Sequence, residues 1–125
     1  MLLLNENKFY QFRKYDDWNL YILQYFEIEY QSRKLKILLA GNKLRAIKCL
    51  ETIGEKYDVV GVIGHKKTHS KNEFVEKAKI LGFNVFQPSD INSSDSVNKI
   101  KKLKPDIAIL AGYGPIVKSD FINIP

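Results

Sequence analysis

Four short apolar runs, separated by stretches of helical periodicity, limit what this chain can fold into. They fall at residues 36–40 (Lys-Ile-Leu-Leu-Ala), 58–63 (Asp-Val-Val-Gly-Val-Ile), 84–86 and 107–111. Most are continuous rather than alternating, which is the pattern of strands buried on both faces of a parallel sheet. Between them, the spacing predicts a helix over 43–53 with Leu44, Ile47 and Leu50 inward, Ala46 and Ile53 beside them, and Gly54 as its stop. A second helix is expected over 72–81, with Phe74, Val75, Ala78 and Leu81 inward and Gly82 ending it. Ser93 or Ser94 caps a third, whose stripe is Val97, Ile100 and Leu103 and which Pro105 closes. The order β-α-β-α-β-α-β, joined by right-handed crossovers, gives an α/β fold: a Rossmann-like parallel sheet of order 3-2-1-4 with helices on both faces. A chain of 125 residues supports one such domain.

In that order the first and fourth strands are neighbours where the strand order reverses, and open α/β sheets bind ligands at that point. Two loops line it, Gly41-Asn42-Lys43 and Gly112-Tyr113-Gly114-Pro115. The second is a sharp backbone break with an aromatic at its centre, a form suited to one wall of a ligand crevice.

Residues 1–34 differ from the rest and are read as an N-terminal extension preceding a domain over 35–125. They hold nine of the fifteen aromatics and neither Gly nor Pro. Trp18, Tyr21, Ile22, Tyr25 and Phe26 follow helical spacing, while Phe26, Ile28 and Tyr30 alternate as in a strand; the helix is preferred. The extension is electrically neutral, so residues 35–125 carry the whole net charge of +6. Such a balance suits anionic partners, although lysines dispersed over several helices also make an ordinary solvated surface. The fourth strand is expected to be an open apolar edge unless residues 1–34 or a partner chain cover it, and an oligomer is one way to cover it.

Several chemistries are disfavoured by the residues. A dinucleotide fingerprint needs three spaced glycines after the first strand, and only Gly41 is there. A phosphorelay receiver needs acidic residues where Gly41-Asn42 stand and an aspartate where Gln87-Pro88 stand. His65 and His69 are four apart, but Lys66, Lys67 and Lys71 surround them, so the segment is read as a solvated basic loop and no metal is expected. Cys49 sits mid-helix, where a small buried thiol is inert. A lone cysteine makes a reducing, cytoplasmic setting the default. No stretch approaches the ~20 apolar residues of a spanning helix, so no membrane partner is expected.

Read together, Lys-Ile-Leu-Leu-Ala-Gly (36–41), Val-Phe-Gln-Pro (85–88) and above all Lys-Pro-Asp-Ile-Ala-Ile-Leu-Ala-Gly-Tyr-Gly-Pro-Ile-Val (104–117) resemble the N-terminal part of the formyltransferase family. The resemblance implies transfer of a formyl group from 10-formyltetrahydrofolate to a primary amine. It implies that Ala111, Gly112, Tyr113, Gly114, Pro115, Ile116 and Val117 hold the pterin, with Gly41, Asn42 and Lys43 on the substrate side. A flat heterocycle needs backbone groups at close approach, which glycines permit, and an apolar slot beside them.

The family's Asn-x-His motif does not occur here, since Ile63 and Lys67 stand two residues before the histidines. It is expected a few residues beyond Pro125, so the chain reads as a truncated formyltransferase, a fragment without its catalytic residues and inactive alone. The first strand is not followed by a Gly/Ser/Asn-rich phosphate loop, and the basic loop over 65–71 is short. A nucleotide-linked amino sugar is therefore preferred as the small-molecule acceptor, with methionyl-tRNA next. The competing expectation is a non-enzymatic Rossmann-like binding or interaction module.

Overall fold

A computed structural model describes residues 2–5, 8–11 and 35–125, the first two segments as backbone strands. The helix expected around Trp18 to Phe26 lies outside the described residues. The strands are β1 (Leu2–Asn5), β2 (Lys8–Gln11), β3 (Lys36–Gly41), β4 (Asp58–Ile63), β5 (Val85–Phe86) and β6 (Ile107–Ala111). The helices are α1 (Lys43–Gly54), α2 (Glu73–Ile80), α3 (Ser94–Lys101) and a short α4 (Ser119–Ile122).

All six strands form one sheet in the order β2-β1-β6-β3-β4-β5. Within it, β6, β3, β4 and β5 are parallel neighbours, which is the 3-2-1-4 order anticipated from the four apolar runs. The other two strands come from the extension. β1 lies antiparallel on β6, with Leu2, Leu3 and Leu4 opposite Leu110, Ile109 and Ala108. β2 folds back antiparallel on β1. The edge of β6 is thus covered within the chain.

Strand parity divides the core in two. Ile37 and Leu39 of β3, Val62 of β4 and Ile107, Ile109 and Ala111 of β6 face α1 and α2, where they meet Ala46, Leu50, Ile53, Phe74 and Ala78. Leu38, Ala40, Ile63, Ala108 and Leu110 face the other way, toward Ile91, Ile100 of α3 and Phe121 of α4. Each such aliphatic or aromatic side chain contributes about 1.5–3 kcal/mol on full burial, so both faces of the sheet need helices. Cys49 is fully buried in the first cluster, as anticipated, and burial pushes its thiol far above the ordinary range.

Local signals fix the helix ends. The Asn72 side chain accepts from the Val75 N–H at 3.1 Å to begin α2, and Ser93 accepts from the Ser96 N–H at 3.1 Å to begin α3. After α2, the Gly82 N–H donates to the Lys79 carbonyl and the Phe83 N–H to the Ala78 carbonyl, both at 3.0 Å. With Gly82 at φ +85° this is a Schellman stop. Two inward assignments are corrected by this packing. Leu81 is 46% exposed, because it caps the helix outside the stripe and Phe83 returns to the core in its place. Leu44 is 61% exposed: the buried stripe of α1 is Ala46, Cys49, Leu50 and Ile53, and Leu44 lies about 200° of helical rotation before Ala46. Among the described residues, no helix is long and apolar enough to cross a membrane.

Candidate functional site

The strands enter the sheet together and leave it together. At the start, the Lys36 N–H donates to the Asp106 carboxylate at 3.0 Å and the Asp106 N–H returns a bond to the Lys36 carbonyl at 2.8 Å. This pairs β3 with β6, so their ends, Gly41 and Ala111, lie in register and the loops after them emerge side by side. The Asn42 N–H donates to the Ala111 carbonyl at 3.2 Å, tying the two expected loops to each other. Backbone approach is tight here. A Cβ on Gly41 would lie 2.5 Å from the Ala46 Cβ and 2.7 Å from the Ala111 carbonyl oxygen. Gly112 turns at φ +71°, and a Cβ there would sit 3.4 Å from the Asn42 carbonyl oxygen. Lys43 also takes a left-handed conformation, φ 61°, as α1 begins, which costs a non-glycine residue about 1–2 kcal/mol.

The glycine turn is held from a second side by His65, Gln87 and Asn92, none of them among the expected site residues. His65, assigned there to a solvated loop, is half-buried at the end of β4. Its Nε2 accepts from the Gly114 N–H at 3.1 Å, and its ring packs against Tyr113 with centroids 5.4 Å apart. The Gln87 side chain donates to the His65 carbonyl at 3.2 Å, so the end of β5 anchors this contact. Tyr113 is half-buried against the second core cluster, and that burial raises its phenol above the ordinary value. Asn92 clamps the outer part of the loop, donating to the Ile116 carbonyl and accepting from the Lys118 N–H, both at 2.8 Å. The usable signal for His65 was topological: β4 neighbours β3, so the loop after β4 must border the same crevice.

Of the expected residues, then, Gly41, Asn42, Lys43 and Ala111 to Gly114 converge at the switch. Val117 is half-buried on the second core cluster, while Pro115 is exposed and Ile116 is 80% exposed. Beside the turn lies a cleft of about 770 Å³ between the start of α1, the basic loop and α2. Five lysines line it (Lys43, Lys66, Lys67, Lys71 and Lys79) against two carboxylates, Glu73 and Glu76. His65 is its boundary with the glycine turn. No group of three or more metal-ligating side chains occurs among the described residues.

The arrangement can hold a flat ligand edge on exposed glycine backbone, and an anionic group in the adjoining cleft. Comparison with known proteins points the same way. The chain is similar to proteins named methionyl-tRNA formyltransferase from Alkaliphilus oremlandii, 29% identical over 99 residues, and Ruminiclostridium cellulolyticum, 32% identical over 99 residues. A third protein of that name, from Sulfurihydrogenibium sp., is 36% identical over 100 residues. Each match takes in 73% of this chain and 32% of the relative. The chain therefore spans about a third of the length of the curated relatives it matches. No model of a protein family matches it.

Proposed function

Since the chain carries an N-terminal part of the formyltransferase family, we propose that its crevice is the donor-side half of a site that transfers a formyl group to a primary amine. The observation that carries this reading is the Gly112-Tyr113-Gly114 turn at the switch between β3 and β6, open on its glycines and half-buried at its aromatic. The residues fit 10-formyltetrahydrofolate. Gly112 and Gly114 are exposed, so a pterin edge can reach main-chain groups without a side chain in the way. Tyr113 and Val117 offer apolar surface beside them, already fixed on the core. When bound, the folate supplies an electrophilic formyl carbon. The part of this chain is to bind and orient, which lowers the barrier by removing translational and rotational freedom.

Titration with a folate analogue bearing a stable 10-formyl group tests this. Saturable one-to-one binding is expected, weakened about tenfold or more in Gly112→Val, because valine cannot adopt φ +71° without strain. Absence of binding to the unaltered chain overturns the reading and favours a non-enzymatic binding module.

For the acceptor, the basic cleft and the names of the relatives support a tRNA-linked amine over the nucleotide-linked sugar preferred from sequence. Lysines placed around a cleft neutralise phosphates and release counterions on binding. A methionyl-tRNA acceptor stem is expected to bind with an affinity that falls roughly tenfold or more between ~50 and ~200 mM salt. Salt-independent binding, or none, would remove the tRNA assignment.

A further inference from the structure

The contact between His65 and Gly114 has a chemistry of its own. An imidazole nitrogen can accept a hydrogen bond only while it carries no proton. Nε2 accepts from the Gly114 N–H at 3.1 Å, a bond that only the neutral ring with its proton on Nδ1 can make. The ring also lies against Tyr113, with an interplanar angle of 57°. Three strand ends meet through this one residue: His65 follows β4, Gln87 after β5 holds its carbonyl, and Gly114 follows β6.

We propose that His65 is a positioning residue that latches the glycine turn in its ligand-ready shape, and that protonation of its ring opens the latch. A second proton on the ring makes Nε2 a donor facing another donor, the Gly114 N–H, and the bond is replaced by repulsion. The turn then keeps Tyr113 and Val117 on the core and the Asn92 clamp beyond them, but the Gly114 backbone is released, and glycines have more conformational freedom to lose than any other residue. The consequence for binding rests on the folate reading above; the latch itself does not.

Other ionisable groups share the turn or the cleft with the ring. The β6 loop brings Tyr113, which keeps its proton because burial raises it. The start of α1 brings Lys43, and α2 brings Glu73, Glu76 and Lys79 to the same cleft. The loop of His65 itself brings lysines and one more imidazole, His69. Imidazoles are the side chains that ordinarily change charge near neutrality. A test must therefore separate His65 from His69, and replacement of His65 alone does so. Glutamine places an acceptor oxygen near the position of Nε2 but does not titrate, whereas phenylalanine keeps the ring contact without an acceptor.

Nitrogen-detected NMR of the imidazoles, with a pH titration of the whole chain, reads the latch directly. The Nδ1–H tautomer is expected for His65, and the Gly114 amide resonance should move in step with the titration of that ring. An Nε2–H tautomer, or a Gly114 amide indifferent to the titration, overturns the proposal. Binding of the 10-formyl folate analogue gives the functional arm. Affinity of the unaltered chain should fall about tenfold as the ring gains its proton. His65→Gln should bind more tightly than His65→Phe at neutral pH and lose the acid fall. An acid fall that survives in His65→Gln overturns the positioning role. If the analogue binds no form of the protein, the folate reading fails, and the NMR outcome still decides the latch.

Discussion

Replacing Phe121 by alanine is expected to lower the stability of the domain by about 3–5 kcal/mol, the usual cost of emptying a fully buried phenylalanine site. Phe121 is 0% exposed and is among the largest side chains wholly inside the molecule. It projects from α4, a helix of 4 residues with no side-chain cap at its start. A single turn of helix cannot persist alone, so α4 exists because Phe121 packs against the cluster containing Leu38, Ala40, Ile91, Ile100 and Leu110. Tyr113 and Val117 pack against the same cluster, so the cavity opens in the core that seats the glycine turn. Domains of this size are stable by about 5–15 kcal/mol, so the loss is a large share of the total. Urea denaturation followed by circular dichroism should show the midpoint falling with little change in slope. A loss below about 1 kcal/mol would mean that α4 is not seated as described.

The second large effect is expected at Gly41. Valine there should destabilise the fold by about 3 kcal/mol or more, at or above the upper end for overpacked sites. The first atom beyond Cα already collides, 2.5 Å from the Ala46 Cβ and 2.7 Å from the Ala111 carbonyl oxygen. The second neighbour is backbone at the end of an inner strand and cannot rotate away. Relief requires parting β3 from β6 or lifting α1, and either movement breaks the 3.2 Å bond from the Asn42 N–H to Ala111. Loss of soluble protein, or a urea midpoint reduced to match, is the expected result. An unfolding free energy within about 1 kcal/mol of that of the unaltered chain would refute this close approach.

The elements that were legible in the sequence are those whose cause is local. Continuous apolar runs identified β3, β4, β5 and β6, and cap and turn residues marked where helices start and stop, as Ser93 and Gly82 show. The order of the four parallel strands then followed from crossover handedness, and with it the meeting of Gly41-Asn42-Lys43 with Gly112-Tyr113-Gly114. What stayed hidden depends on distant partners. Leu2 to Leu4 is a short apolar stretch with no local mark of a strand; its hydrogen bonds go to β6. Leu44 was assigned inward by hydrophobicity, but its phase on α1 puts it outside. His65, amid lysines, has the composition of a solvated loop, and only its bond to Gly114, 49 residues on, draws it into the site. Asn92 likewise gains its meaning from Ile116 and Lys118.

The pairing of β1 with β6 also orders events in time. The two strands are separated by roughly a hundred residues, since Leu2 lies opposite Leu110. During synthesis at about 5–20 residues per second, β1 waits some ~5–20 s for its partner. Over that interval Leu2, Leu3 and Leu4 have only β2 to pair with, and an isolated two-stranded hairpin is marginally stable in water. Closing so long a loop is slow. Leu2 to Leu4 are therefore made long before they can find their place in the sheet, and until then they are an apolar segment within reach of any chaperone at the ribosome exit.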